Sequence, residues 1–284
     1  MRDYDKKTLA MMSPTIIALL ILFVVPLILS VKMSMFSTDG AFIGLDAYGK
    51  ILESPMAIDS LFFTLAFSAI STIIAIVIAV AIAMVLRKTF VGKKISTFLF
   101  QLNIPVPYIA FTLMIILLLK KTGFISRILY SMGLISSAGD FPLLVFDKYG
   151  IGIILSYVLK FIPFMGVAIL AVLQSSVSEH EDQAITLGAN KLQTFRYVTL
   201  PKIMPAVAMT AMISFAYAFG SYEVPSLIGT VNPVALPKLA YNYYISYDIT
   251  ERPVAYALSV VMMLIITATV SVYLYFTMRG RDDE

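Results

Sequence analysis

Long stretches of the chain carry no charged residue and can cross a membrane as helices. Among them are residues 61–86, 95–119 and 253–278. Since an α-helix rises about 1.5 Å per residue, about 20 apolar residues span the hydrocarbon core of a bilayer. Only 13% of the 284 residues are charged, against about 25% in soluble globular proteins. A water-soluble fold is therefore excluded, and the pattern predicts an all-α, polytopic membrane protein.

The apolar pattern of the whole chain predicts a single transmembrane domain, residues 1–284, with six membrane-spanning helices. The first span follows a short charged start that resembles a signal peptide, but it lacks a small-residue cleavage site, so we expect it to be retained. Residues 124–130 are too few to span and are predicted to form an interfacial helix on the outer side. The spans are predicted at about 13–36, 58–86, 95–119, 150–175, 202–228 and 253–278.

The lysine and arginine residues predict how the chain is oriented, because basic residues concentrate on the cytoplasmic side of a membrane protein. The N-terminal segment, the loop between the second and third spans and the C-terminal tail are all basic, and an even number of spans places them on one side. Both termini are therefore expected in the cytoplasm, with the protein embedded in the lipid of the cell (inner) membrane. The basic residues are Arg2, Lys6, Lys7, Arg87, Lys88, Lys93, Lys94, Arg279 and Arg281.

Several function classes are excluded by residues that the sequence lacks. It contains no cysteine and one histidine, His180, so thiolate catalysis and cysteine or paired-histidine metal sites are ruled out. Residues 92–94 read Gly-Lys-Lys without the upstream glycine of a phosphate-binding loop, so we do not expect this chain to bind ATP. No catalytic residue, metal site or resident cofactor is predicted, and the net charge of +4 is attributed to topology rather than to nucleic-acid binding.

The segment between the fourth and fifth spans, residues 176–201, has the local chemistry of two short helices. Ser178 and Glu181 have the spacing of a capping box for the first helix, in which each side chain satisfies a free backbone donor. Gly188 permits a sharp turn that a side chain would resist. Asn190 and Gln193 repeat the cap signature. The segment is therefore predicted to form two capped helices about a fixed bend.

The second of these helices is predicted to be amphipathic and to end at Pro201, which has no backbone donor. Leu192, Phe195 and Val198 recur every three residues and form an apolar stripe. Such a stripe is buried either in lipid or in the groove of a partner protein. Amphipathicity alone does not separate these two alternatives, but two capped helices about a bend favour a docking element.

The pattern in this segment resembles the so-called EAA loop of the membrane permeases of type I ABC importers. It reads Asp182-Gln183-Ala184, then Gly188, then Leu200-Pro201 and Pro205. Asp182 stands where glutamate is usual and Gln183 where alanine is usual. The resemblance implies that residues 176–201 form a coupling loop that lies in a cleft of an ATP-binding subunit. The coupling residues it assigns are Glu181, Asp182, Ala184, Gly188, Leu192, Phe195 and Pro201.

The resemblance also implies partners for the chain. These are a cytoplasmic ATP-binding subunit dimer that binds ATP and Mg²⁺, a second permease that is an identical copy or a paralogue, and an extracellular or periplasmic solute-binding protein. Residues 101–107, 160–164 and 219–225 look like the corresponding spans of the polyamine, ferric iron and thiamine subgroup. The function implied is ATP-driven import of a small charged solute such as a polyamine. The alternative is an ATP-independent secondary transporter or channel.

Polar residues and helix breaks inside the predicted spans indicate a translocation pathway along spans three, four and five. A charge at the centre of a bilayer costs roughly 2.5–3.5 kcal/mol and usually faces a cavity or a partner. Prolines at 105, 107 and 225 predict broken helices, which are tolerated only beside protein or water. The alternatives are simple proline kinks and structural pairing of the charged side chains. The pathway residues predicted are Asn103, Lys160, Tyr222 and Glu223.

Overall fold

The computed structural model describes residues 2–88 and 91–282. Over these residues the backbone is helical and the only β-type pairing is an isolated bridge between Phe36 and Phe42. The prediction of an all-α fold is therefore confirmed. The helices are α1 (Arg2–Leu19), α2 (Val25–Ser34), α3 (Asp46–Glu53), α4 (Pro55–Leu86), α5 (Lys93–Gln101), α6 (Tyr108–Leu119), α7 (Phe124–Ser131), α8 (Ile151–Val172), α9 (Ser178–Thr186), α10 (Lys191–Thr194), α11 (Leu200–Gly220), α12 (Glu223–Ile228), α13 (Leu236–Tyr244) and α14 (Arg252–Asp282).

Within the described residues, six helical segments are long and apolar enough to cross a membrane, as predicted. Three π-helical turns, Leu20–Val24, Leu173–Val177 and Phe195–Thr199, join neighbouring helices into longer ones. The short helix predicted at residues 124–130 is present as α7. It forms the last part of the third segment, and its interfacial position stays a prediction. The six segments are Met11–Ser34, Pro55–Leu86, Tyr108–Ser131, Ile151–Ser175, Lys191–Gly220 and Ile249–Tyr275.

The third span begins later than the sequence pattern predicts. Helix α5 ends at Gln101 and α6 begins at Tyr108, with irregular backbone between them. Pro105 and Pro107 lie in this interval, and a proline can neither donate to a helix ladder nor leave the preceding residue free to be helical. The break predicted beside these prolines is therefore present, and it separates α5 from the span that was predicted to contain it.

The fifth span begins earlier than predicted, and the expectation that Pro201 ends a helix is wrong. Helix α10, the π-turn Phe195–Thr199 and α11 follow one another without interruption, so the helix runs from Lys191 to Gly220. Pro201 occupies the first turn of α11. A π-helical turn lies directly before Pro201, and in it the Leu200 amide donates to the Phe195 carbonyl. The backbone hydrogen bonds therefore shift by one residue just before the proline, which has no N–H to donate.

The chain divides into two compact units. The first contains residues 1–58 and 236–265, in which the Ser34 and Tyr48 hydroxyls are 2.7 Å apart and Thr38 donates to the Ile249 carbonyl at 2.7 Å. The second contains residues 59–235 and 266–284. The earlier assignment of residues 1–284 to one transmembrane domain stays a prediction.

Helix α8 lies at the centre of the second unit. Its side chains Tyr157, Met165 and Ile169 are fully buried, and α5, α6, α11 and α12 pack against it. Gly152 allows a close approach, because a Cβ there would lie 2.8 Å from the Leu144 carbonyl oxygen. Helix association in membranes relies on such close packing, since lipid competes equally well for apolar surface. This arrangement places the end of α4, the coupling loop and the break before α6 in one packing unit.

Candidate functional site

The coupling loop has the bend and the second cap that the sequence predicts. Gly188 has φ = +92°, a conformation that residues with a side chain rarely adopt. The Asn190 side chain accepts from the Leu192 and Gln193 amides at 3.1 and 2.9 Å, and the Asn190 amide donates to Gln193 Oε1 at 2.9 Å. This is the predicted capping box of the second helix. The cap predicted for the first helix involves Ser178, whose side chain lies outside the described residues.

Glu181 points into the protein, although it directly precedes the exposed Asp182. Arg87, the first residue after α4, donates through Nη1 to both carboxylate oxygens of Glu181 at 2.8 Å. The hydroxyl of Thr199 donates to the same carboxylate. Glu181 and Thr199 are both buried. Sequence reasoning did not find this cluster, since its members are separated by up to 112 positions and no local pattern joins them.

The outward side of the coupling loop presents large apolar side chains. Leu187, Leu192 and Tyr197 are 88%, 74% and 71% exposed. Among the other residues assigned to coupling, Asp182, Gly188 and Pro201 are exposed, whereas Ala184 and Phe195 are half-buried. The predicted apolar stripe is therefore not buried by this chain at Leu192, which leaves that side chain for lipid or a partner. The assignment of these residues to contact with an ATP-binding subunit stays a prediction.

A groove of about 650 Å³ lies beside these exposed side chains, between the first helix of the loop and the start of the fifth span. It has both polar and apolar walls, so it suits a protein surface better than lipid chains. Pro201 and Pro205 in its wall lack a backbone N–H, so they leave no backbone donor unsatisfied there. The groove is lined by His180, Gln183, Ala184, Leu187, Tyr197, Val198, Pro201, Lys202 and Pro205.

Lys160 is buried in the middle of α8, where its ammonium group binds the backbone at the helix break before α6. Nζ donates to the carbonyls of Asn103 at 2.8 Å and Val106 at 2.7 Å, with a longer contact of 3.4 Å to Ile104. Asn103 Nδ2 in turn donates to the Leu159 carbonyl at 2.9 Å. Where a helix is broken, backbone carbonyls lack the N–H donors of a continuous helix. The Lys160 ammonium group donates to the Asn103 and Val106 carbonyls in their place. Lys160 therefore makes the structural pairing that the sequence analysis held as an alternative for the charged side chains.

Three tyrosines from three helices meet beside this lysine. The Tyr108 ring lies 4.8 Å from Lys160 Nζ, and the ring centroids of Tyr108 and Tyr217 are 4.5 Å apart. Tyr157 lies 6.4 Å from both rings. Tyr217 remains more than a third exposed, so the cluster reaches the surface. No sequence signal joins these residues, because only the packing of α6, α8 and α11 brings them together.

Tyr222 and Glu223 lie at a second helix break. Helix α11 ends at Gly220 and α12 begins at Glu223, so the break predicted between Gly220 and Pro225 is present. Both side chains are exposed. Helix α12 packs against α6, and the Glu223 carboxylate is near enough to act electrostatically on the Tyr108 and Tyr217 hydroxyls. That the four predicted pathway residues line a translocation route stays a prediction.

These features define a class of protein before any comparison. The described residues contain six helices long and apolar enough to cross a membrane, two of them bordered by broken backbone, and a bent, capped loop that presents apolar side chains. Among the described residues, no three histidine, aspartate or glutamate side chains are grouped so as to hold a metal ion. The class is a polytopic helical membrane protein with an exposed, bent loop between its fourth and fifth spans.

The chain belongs to the family of binding-protein-dependent transport system inner membrane components, whose family model matches residues 75–281. It is 26% identical over 258 residues to the sulfate transport system permease protein CysT of Synechocystis sp., covering 89% of this chain and 85% of that protein. It is 25% identical over 270 residues to the spermidine/putrescine transport system permease protein PotB of Salmonella typhimurium, covering 91% and 90%.

A solved structure has the same fold. A chain of the bacterial alginate ABC transporter, crystallised with an alginate pentasaccharide-bound periplasmic protein, superposes with a TM-score of 0.81 at 19% identity, covering 98% of this chain and 96% of that one. The protein is thus the multi-pass inner-membrane permease subunit of an ABC importer, and the prediction of this family is confirmed. It is a transport subunit rather than an enzyme, because ATP hydrolysis belongs to a separate ATPase in this family. The family implies an ATPase and a solute-binding protein as partners, which decides against an ATP-independent transporter or channel.

Proposed function

We propose that the coupling loop, through residues 178–200, docks into an ATP-binding subunit and drives import of a small, positively charged solute such as a polyamine. The observation that carries the docking role is the bent, capped loop with its outward apolar side chains, because Leu187, Leu192 and Tyr197 are exposed beside a groove with polar and apolar walls. A lone amphipathic helix lying on lipid needs neither a fixed bend nor a groove. Asp182 lies on this outward side.

In this proposal, partner subunits bind the ATP that drives transport and complete the pathway. A cytoplasmic ATP-binding dimer binds ATP and Mg²⁺, this chain binds neither, and a second permease, identical or paralogous, completes the pathway. Closure of the dimer around ATP moves the clefts that hold the coupling loops, and this rigid-body motion exchanges inward-open and outward-open states. Both termini lie in the cytoplasm, in agreement with the basic loop that follows α4.

The docking role is tested by co-purification. An affinity tag on this chain is expected to retain the ATP-binding subunit expressed with it, and the retained complex should hydrolyse ATP. The double variant Leu187→Ser, Leu192→Ser should lose most of the ATPase, because it removes exposed apolar side chains that this chain does not bury. Leu113→Ser on α6, also exposed, is the matched control. Equal retention by both variants would contradict docking through the loop.

The positive charge of the solute is proposed from the chemistry of the pathway residues. Tyrosine rings attract cations through their faces, and the Glu223 carboxylate adds a negative charge near Tyr108 and Tyr217. The ammonium group of Lys160 is bound to backbone carbonyls, which neutralises part of its repulsion. The similarity to PotB supports the same class, whereas the similarity to CysT supports an anion.

The solute class is tested by calorimetric titration of the companion binding protein with spermidine, sulfate, a ferric chelate and thiamine. Binding of spermidine at micromolar concentration is expected, without binding of sulfate. In proteoliposomes containing the whole importer, Glu223→Gln should then raise the KM for spermidine uptake about tenfold, while Glu251→Gln, outside the proposed pathway, should not. A binding protein that takes sulfate alone would overturn the proposed charge.

A further inference from the structure

The cluster of Arg87, Glu181 and Thr199 joins three elements that the chain itself connects only through long segments. Arg87 ends the second span, Glu181 lies on α9, and Thr199 ends the π-turn that leads into α11. The coupling loop is covalently continuous with α8 at one end and with α11 at the other. The cluster therefore adds α4 as a third helix to which the loop is attached.

The cluster lies in the wall of a pocket rather than inside a closely packed core. The pocket has a volume of about 380 Å³, is open to the surface, and lies between the end of α4 and the two helices of the loop. It is lined by Met84, Val85, Arg87, Lys88, Glu181, Ile185, Lys191, Thr194, Phe195 and Thr199. Within this wall, the Arg87–Glu181 pair is a direct polar connection between the end of α4 and the loop.

The geometry of the pair fixes position rather than merely balancing charge. One guanidinium nitrogen bonds both oxygens of the carboxylate, and the Thr199 hydroxyl bonds it from another direction. The planar guanidinium holds its N–H donors in fixed directions, whereas a lysine ammonium is a flexible point charge. The pair is largely shielded from water, so salt screens it less than it screens a surface pair.

We propose that Arg87, Glu181 and Thr199 are positioning residues that fix the coupling loop to the end of the second span, so that loop motion moves α4 together with α8 and α11. Glu181 acts through Arg87 inside this chain and not by contact with an ATP-binding subunit. The transmission role rests on the proposed docking of the loop, whereas the fixing role concerns this chain alone.

The fixing role is tested by distances between spin labels in the full chain in lipid nanodiscs. The chain has no cysteine, so the changes Val77→Cys on α4 and Glu179→Cys on the loop introduce its only thiols, both at exposed positions. A single narrow distance distribution is expected. Glu181→Gln and Arg87→Met should at least double its width, while Lys88→Met, which removes an adjacent charge from the same cavity wall, should leave it unchanged.

Rescue distinguishes positioning from a general loss of structure. The exchanged pair Arg87→Glu, Glu181→Arg should return a narrow distribution, and Arg87→Lys should recover only part of it. A wild-type distribution in Arg87→Met, or the same broadening in Lys88→Met, would overturn the proposal.

The transmission role is measured in the complex with the ATP-binding subunit. In the wild type, addition of ATP should leave the distance between the labels on α4 and the loop unchanged, because the two elements move together. In Glu181→Gln the loop should move without α4, so this distance should change, with ATPase retention unchanged. Failure of the chain to retain any ATPase would refute docking, and the distances in the chain alone would still decide the fixing role. Coordinated movement in Glu181→Gln would overturn transmission through the cluster.

Discussion

Gly188 shows how a single residue determines the shape of the coupling loop. A Cβ added at this position would meet no atom within 4 Å, so the space around it tolerates a side chain. The constraint is the backbone, whose φ of +92° costs a non-glycine residue roughly 1–2 kcal/mol. A substitution at Gly188 is therefore expected to act within this chain through backbone conformation rather than through side-chain size.

Two substitutions at Gly188 separate the effect of backbone conformation from that of side-chain size. Gly188→Leu is expected to leave the chain inserted in the membrane but to abolish solute uptake, because the bend relaxes. Gly188→Asn should keep much of the uptake, since asparagine adopts left-handed backbone more readily than other residues with a side chain. Uptake by the reconstituted importer measures both variants. Normal uptake by Gly188→Leu would contradict the requirement for the bend.

The neighbouring carboxylates of the first loop helix are expected to differ in role. Asp182 is exposed and stands at the acidic position of the family pattern, and Glu179 is exposed as well. Asp182→Ala should therefore weaken retention of the ATP-binding subunit more than Glu179→Ala does. Dissociation constants from biolayer interferometry on nanodisc-embedded protein provide the comparison. Equal weakening would remove the assignment of Asp182 to the docking surface.

Lys160 is expected to stabilise the fold by binding the backbone at the helix break before α6. Its replacement by methionine leaves the Asn103 and Val106 carbonyls without their donor, and an unsatisfied buried polar group costs about 1–3 kcal/mol. Lys160→Met should thus lower the midpoint of thermal unfolding, measured by loss of the monodisperse peak in detergent. Lys148→Met, at an exposed lysine just before α8, is the control. An unchanged midpoint would show that the lysine does not stabilise the break.

At the scale of elements, the helices pack through glycine where backbones approach each other. Gly152, in the first turn of α8, leaves room for the Leu144 carbonyl at 2.8 Å and the Ile228 side chain at 3.0 Å from the position of a Cβ. Backbone cannot move aside as a flexible side chain can. The start of α8, the segment before it and α12 therefore fit together only with glycine at this point.

Gly152→Ala is expected to destabilise the protein by about 1–3 kcal/mol, as overpacking of a filled core does. Gly49→Ala in α3 is the matched comparison, because a Cβ there meets nothing within 4 Å and alanine favours a helix by roughly 0.5–1 kcal/mol. Opposite shifts of the unfolding midpoint are expected for the two variants. A stabilising Gly152→Ala would show that the backbone at Leu144 is free to move.

The bounds of a helix were predictable only where a local sequence feature, such as an uncharged run, a proline or a capping residue, determines them. Uncharged runs gave the spans, and the prolines at 105 and 107 gave the break before α6. Gly188 and Asn190 gave the bend and the second cap. The continuation of the helix through Pro201 was missed, because proline is compatible with the first turn of a helix as well as with its end.

For the whole molecule, local patterns predicted the class and long-range packing determined the site. The family and the bent coupling loop follow from about 30 residues in sequence order. The pairing of Arg87 with Glu181, the binding of Lys160 to residues 103–106 and the meeting of Tyr108 with Tyr217 depend on helices far apart in the chain. Such contacts leave no periodic signal, so the sequence alone does not predict them.

The helix that runs without interruption from Lys191 to Gly220 joins the second half of the coupling loop to the fifth span over 30 residues. At about 1.5 Å per residue it is roughly 45 Å long. If it tilts as one body, a rotation of about 10° around its loop end sweeps the far end through roughly 8 Å. A small rotation imposed at the loop would thus be amplified into a larger displacement at the opposite end of the span.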